Sequence, residues 1–219
     1  MTRRLRLLTT LTAGTATALL LAGCGGGGDD SKSNDKIAGA DTDASSSASP
    51  SASASTATSG RPKIELPSDL SYTFEWPKTG DAVKDAVLAD SEQNIQSVDL
   101  AIANQDPLDK AYLYYFEGEA AAQIETYVKA YVKAKARTTG HFRYYDPVVN
   151  VSSSNQASLV YCEDQGKAYD LYLKTKKVDK TPVSKDSYVL YSTQLHKNDK
   201  GVWAVEKLMS VRGSSKCQP

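Results

Sequence analysis

Histidine and cysteine are scarce in this chain of 219 residues, with two of the first and three of the second. The histidines, His141 and His196, do not share a His-x-x-x-His spacing, which argues against a helical zinc site. No cysteine lies beside a histidine to serve as a nucleophile, and the Gly-x-Ser-x-Gly turn of a hydrolase serine is missing. Charge of one sign is also missing: 26 basic side chains face 26 acidic ones. From Arg61 onward the balance is 21 to 21. A neutral body lacks the basic footprint that phosphate-backbone binding requires, so nucleic acid is not an expected partner. The glycines at 25–28 are not followed by Gly-Lys-Ser/Thr and make no phosphate loop.

No apolar run is long enough to span a bilayer either. Leu7 to Leu21 is about 15 residues against the roughly 20 that a membrane helix needs, and Thr9, Thr10, Thr12, Gly14, Thr15 and Thr17 dilute it. It follows Arg3, Arg4 and Arg6 and ends in Leu21-Ala22-Gly23-Cys24. A basic start, a short apolar middle and small residues before a cut describe an export signal. The cysteine directly after Leu-Ala-Gly resembles the lipobox of bacterial lipoproteins. That resemblance implies cleavage after residue 23, a diacylglyceryl group on Cys24, and anchorage to the outer face of the cell membrane. Arg3-Arg4 leaves both the general and the twin-arginine export routes open.

Residues 24–60 then hold the glycine run and a tract of Ser, Ala, Thr and Asp. Nothing in it offers an apolar face at the helical or the strand period, and it cannot bury enough surface to offset ordering entropy. It reads as a flexible linker with a mean span of roughly 30–36 Å. The acids Asp41 and Asp43 within it lack the loop geometry of a calcium site. With Cys24 committed to lipid, Cys162 and Cys217 remain as an even pair in an exported protein, and we expect a disulfide rather than two free thiols.

Residues 61–219 form the expected single domain. Thr79-Gly80-Asp81 starts a helix in which Val83, Val87, Ile95, Val98 and Ile102 make one apolar stripe ending near Asn104. Asp106-Pro107 opens a second helical piece carrying Tyr112, Tyr115 and Phe116. A third helix is expected from Glu119 to Arg137, with Ile124, Tyr127, Val128, Tyr131 and Val132 on one face and Thr138-Thr139-Gly140 as its stop. Beyond Gly140 the period becomes two. His141 to Val151 is a strand that Pro147 makes an edge or a bulge. Ala157 to Glu163 is the next, and Asp164-Gln165-Gly166-Lys167 is expected to turn it back into Ala168 to Lys176. A polar loop through Pro182 leads to a last hairpin, Ser187 to Lys197 and Val202 to Val211. On its second strand Trp203, Val205, Met209 and Val211 should share a face.

Helices followed by a meandering antiparallel sheet make an α+β domain. The order resembles the nuclear transport factor 2-like fold, in which a curved sheet wraps the helices into a cone. Gly118-Glu119-Ala120, Thr139-Gly140, Val149, Val160-Tyr161-Cys162-Glu163-Asp164 and Gly201-Val202-Trp203-Ala204-Val205 are similar to small exported actinobacterial lipoproteins. Enzymes of that superfamily, such as ketosteroid isomerases, place an Asp or His beside a Tyr inside the cone. The resemblance therefore implies a search for such a base. The pattern buries none. His141 stands at a strand start, His196 at a hairpin mouth, Asp146 before a proline, and Asp170 on the polar face of its strand.

Tyrosine is the one surplus, 13 against 3 Phe and 2 Trp. Tyr112, Tyr115, Tyr127, Tyr131, Tyr144 and Tyr161 could line a pocket for a flat or amphipathic ligand, or form an ordinary core. The sequence thus favours a non-enzymatic interaction module that meets an envelope protein. A carrier or sensor of a small apolar molecule in the cone comes second, and an isomerase or dehydratase third. No cofactor is called for.

Overall fold

The computed structural model describes residues 60–219; Cys24 and nearly all of the linker fall outside them. The order is β1 (Leu70–Phe74), α1 (Ala82–Asn104), α2 (Tyr112–Tyr115), α3 (Gly118–Ala134), β2 (Ala136–Ser153), β3 (Gln156–Tyr172), β4 (Lys177–Asp179), β5 (Tyr188–Lys197) and β6 (Trp203–Arg212). One curved sheet runs β1-β2-β3-β5-β6, with β4 paired to the far end of β3, and the helices pack on its inner face.

Helix α1 begins where expected, because the Asp81 carboxylate accepts the N–H groups of Val83 and Lys84. Its stripe holds from Val87 to Ile102, but Val83 is exposed and the buried face includes Asp90, Ser91, Asn94, Ser97 and Asp99. Asp106-Pro107 makes a turn rather than a helix start: Asp106 accepts the Leu108 N–H, and α2 is a single turn further on.

Other expectations are corrected. Strand β1 was not anticipated, and it pairs parallel to β2 in the register Leu70 to Gly140, so the sheet is mixed rather than purely antiparallel. Helix α3 ends at Ala134, with Lys135 in the left-handed conformation, and Arg137–Gly140 already belong to β2. Gly140 is needed not as a helix stop but inside the sheet. It has φ +98°, and a Cβ there would meet the Lys167 carbonyl oxygen at 2.2 Å.

The segment Asp164–Lys167 does not turn. Strand β3 continues for 17 residues alongside the 18 of β2, and Gln165-Gly166 are accommodated as a bulge opposite Phe142. Asp164 still accepts the Gly166 N–H, as its turn chemistry suggests, but the long β2 partner keeps the chain straight. The bulge reverses the faces beyond it, so Asp170 points inward, to α3. A second bulge, at Glu206, does the same in β6: Trp203 and Val205 are buried, whereas Met209 and Val211 are exposed. The Pro147 expectation holds in both senses. The β2–β3 register shifts between Tyr145 and Val148, and Tyr144 is the last residue of β2 paired with β1.

Cys162 on β3 and Cys217 form a disulfide, Cα–Cα 5.4 Å, that ties the C-terminal tail to the sheet. Tyr145 donates to the Cys217 carbonyl beside it.

Candidate functional site

The interior of the cone holds three carboxylates, brought from α1 and β3 to a set of hydroxyls on the sheet and α3. Asp99 projects from the apolar face of α1, one turn after Ile95 and nearly one before Ile102. Tyr72 on β1 donates to its Oδ2 at 2.6 Å and Thr138 on β2 donates to its Oδ1 at 2.7 Å. Glu163 follows Ala157, Leu159 and Tyr161 on the inward side of β3. Tyr144 donates to its Oε1 at 2.8 Å, and the Gln165 amide donates to Oε2. Asp170 accepts from Tyr131 at 3.0 Å, and Tyr127 reaches the Tyr131 oxygen at 3.4 Å.

Asp99 and Glu163 are out of water, and burial penalises the charged form of both. Burial pushes the Asp99 carboxyl above its ordinary value, though the Tyr72 and Thr138 hydrogen bonds work against the shift. Glu163 is raised chiefly by burial, resisted by Gln165 and Tyr144 and reinforced by the charge of Asp99. Burial likewise raises the phenols of Tyr72, Tyr127, Tyr131, Tyr144, Tyr161 and Tyr191, with the neighbouring carboxylates adding to it. The phenols are therefore neutral here, and those of Tyr72, Tyr131 and Tyr144 donate to the carboxylates.

Aromatic rings pack around the network. Phe74 stacks on Tyr144 at 4.9 Å, Tyr161 on Tyr191 at 5.2 Å, and Trp76 meets Tyr161 edge-on at 5.5 Å. Of the six tyrosines singled out in the sequence, Tyr127, Tyr131 and Tyr144 join the carboxylates, and Tyr161 joins the ring stack. Tyr112 and Tyr115 do not. Tyr112 donates to the Pro107 carbonyl, and Tyr115 is buried near Arg61. Sequence reasoning missed Asp99, Glu163, Tyr72, Thr138 and Tyr191. The first two carried a signal, since each is an acid at an apolar position of its element's period.

The histidines lie elsewhere. His141 places Nδ1 2.9 Å from the Ser71 hydroxyl and Nε2 3.2 Å from the Thr73 hydroxyl, on the sheet's outer side. His196 is more enclosed than expected. Its Nε2 is 3.3 Å from Glu117 and its Nδ1 is 3.2 Å from Glu206, in poor alignment for a hydrogen bond. It borders an open cleft of about 340 Å³ with Glu117, Asn155, Asn198 and Asp199. The two ring nitrogens diverge toward different carboxylates, so these three residues do not converge on one ion. Among the described residues no group of three His, Cys, Asp or Glu could hold a metal. Asp146 is a bulge residue with φ 50°.

No protein-family model and no curated protein matches the chain. Solved structures do resemble it. A ketosteroid isomerase-like protein from Erwinia carotovora atroseptica superposes with a TM-score of 0.43 at 11% identity, covering 61% of this chain and 98% of that one. A nuclear transport factor 2-like superfamily protein from Salmonella enterica serovar Typhimurium gives 0.43 at 13%, covering 61% and 95%. A type 2 hexachlorocyclohexane dehydrochlorinase gives 0.38 at 9%, covering 59% and 86%. Each is a likeness of fold and none assigns a chemistry to this chain.

Proposed function

We propose that the chain is an exported lipoprotein, held at the outer face of the cell membrane through lipid on Cys24, whose domain is a non-enzymatic interaction module for an envelope partner. One observation carries the non-enzymatic reading. Every carboxylate of the cone is already engaged by the protein's own donors, Asp99 by Tyr72 and Thr138, Glu163 by Tyr144 and Gln165, and Asp170 by Tyr131. A general base must reach a substrate proton, and both oxygens of Asp99 and of Glu163 are turned to neighbouring donors. The anchor rests on the signal and Leu21-Ala22-Gly23-Cys24.

Two measurements test the proposal. Intact mass of the protein purified from membranes should show the leader removed and a diacylglyceryl group added; a bare thiol at residue 24 overturns the anchor. Crosslinking in cells should capture a partner that Cys24→Ala loses, and retention of every partner by that variant removes the reason for the anchor.

A second reading, a carrier or sensor of a small apolar ligand, draws on the cost of keeping Asp99 and Glu163 buried. It expects native mass spectrometry of the purified protein to find a bound small molecule that Glu163→Gln or Asp99→Asn releases.

A further inference from the structure

Asp90 is the second acid buried in α1, and it lies apart from the cone network. Its Oδ2 accepts the backbone N–H of Trp203, the first residue of β6, at 2.9 Å. Its Oδ1 receives Nη1 of Arg61. The Asp90 side chain is 4% exposed and that of Arg61 23%. Arg61 comes from the coil ahead of β1, where Ile64 and Leu66 pack against the core, so residues 60–67 lie over the domain as a strap.

Two buried polar atoms there have no aligned hydrogen-bond partner, Arg61 Nε and the hydroxyl of the fully buried Tyr115. Burial opposes the Arg61 charge, but the pairing with Asp90, and then Tyr115, outweighs it and holds the guanidinium above its ordinary value. Tyr115 is raised by burial and lowered by the Arg61 charge.

The pocket has the chemistry of a guanidinium receptor. One Asp90 oxygen is fixed by the β6 backbone, which aims the other. A phenol oxygen stands beside it and can accept. A planar fork with five donors can serve both, whereas a compact, strongly hydrated ammonium cannot span them as well. We infer that Asp90 and Tyr115, with the Trp203 N–H as orienter, form a guanidinium-binding pocket that Arg61 fills in cis, latching the strap to α1 and β6.

The experiment is chemical rescue in the full chain. Arg61→Ala leaves a buried carboxylate without its counter-ion and lowers the melting temperature by about 6–15 °C. Ethylguanidinium at about 10 mM, too dilute to denature, restores at least half of that loss by binding the folded form. Ethylammonium at the same concentration and ionic strength does not, and Asp90→Asn in the Arg61→Ala background removes the rescue. An unchanged melting temperature in Arg61→Ala overturns the inference, as does absence of rescue or equal rescue by ethylammonium. Should Arg61→Ala not fold alone, refolding it in about 10 mM ethylguanidinium recovers the domain, and failure to recover it, or equal recovery in ethylammonium, overturns the inference. The readout is domain stability, so its outcome is independent of whether Cys24 carries lipid.

Discussion

Tyr144 on β2 and Glu163 on β3 meet inside the cone, hydroxyl to carboxylate at 2.8 Å, with both side chains buried. The contact satisfies an acid that the sheet has removed from water, and it ties the middle of the two longest strands to each other.

Glu163 makes stability depend on pH with a definite sign. Its folded value lies above the unfolded one, chiefly through burial. Between those two values the folded state holds more protons than the unfolded, so stability falls as pH rises. The contribution is whole below about pH 4, the ordinary Glu value, and is lost as pH climbs through the folded one. Glu163→Gln, which stays neutral and can still accept from Tyr144, removes that component. Its melting temperature should exceed wild type at pH 7.5 and converge with it near pH 4. Parallel curves for the two proteins from pH 4 to 8 would contradict this.

Tyr144→Phe keeps the ring and removes the donor. Leaving the Glu163 oxygen short of a partner should cost about 1–3 kcal/mol, read by urea unfolding. In a double-mutant cycle with Glu163→Gln the two changes should couple by about 0.5 kcal/mol or more. Strict additivity would mean that the pair does not interact.

The disulfide closes a sequence separation of 55 residues, which in the chain-entropy model is worth roughly 4 kcal/mol. Cys162→Ser, or reduction, should lower the melting temperature while leaving the far-ultraviolet circular dichroism unchanged. The sheet's own pairing does not run through the tail. An unaltered melting curve would show that the bridge does not form.

Gly140→Ala meets two penalties at once, a left-handed backbone and a Cβ 2.2 Å from a carbonyl oxygen. We expect a loss of about 2–4 kcal/mol. Gly201→Ala, with φ +74° but open space around it, should lose only about 1 kcal/mol from strain. Equal losses at the two sites would mean that the close approach to Lys167 is not what Gly140 serves.

Much of this arrangement is written in local signals. The Asp81 cap, the stripe from Val87 to Ile102 and the last hairpin depend on short-range chemistry, the Cys162–Cys217 pair on cysteine count, and all lie where the sequence puts them. The failures share one cause. Asp164-Gln165-Gly166-Lys167 carries turn residues, yet an 18-residue neighbour holds it extended, a non-local fact that no window of sequence contains. That one misreading also placed Asp170 on the wrong face. Strand β1 was missed because its partner lies about 70 residues later. Asp99 and Glu163 were legible as acids at apolar positions, but not their partners, which come from β1, β2 and the bulge of β3.

The parallel pairing of β1 with β2 orders events during synthesis. Leu70 to Phe74 leave the ribosome well before Gly140 to Tyr144 do. Until then Tyr72 has no partner strand to fix it, and Asp99 lacks the Thr138 hydroxyl that β2 brings to it. The domain therefore closes late, once β2 is available, because β1 has no other strand to pair with.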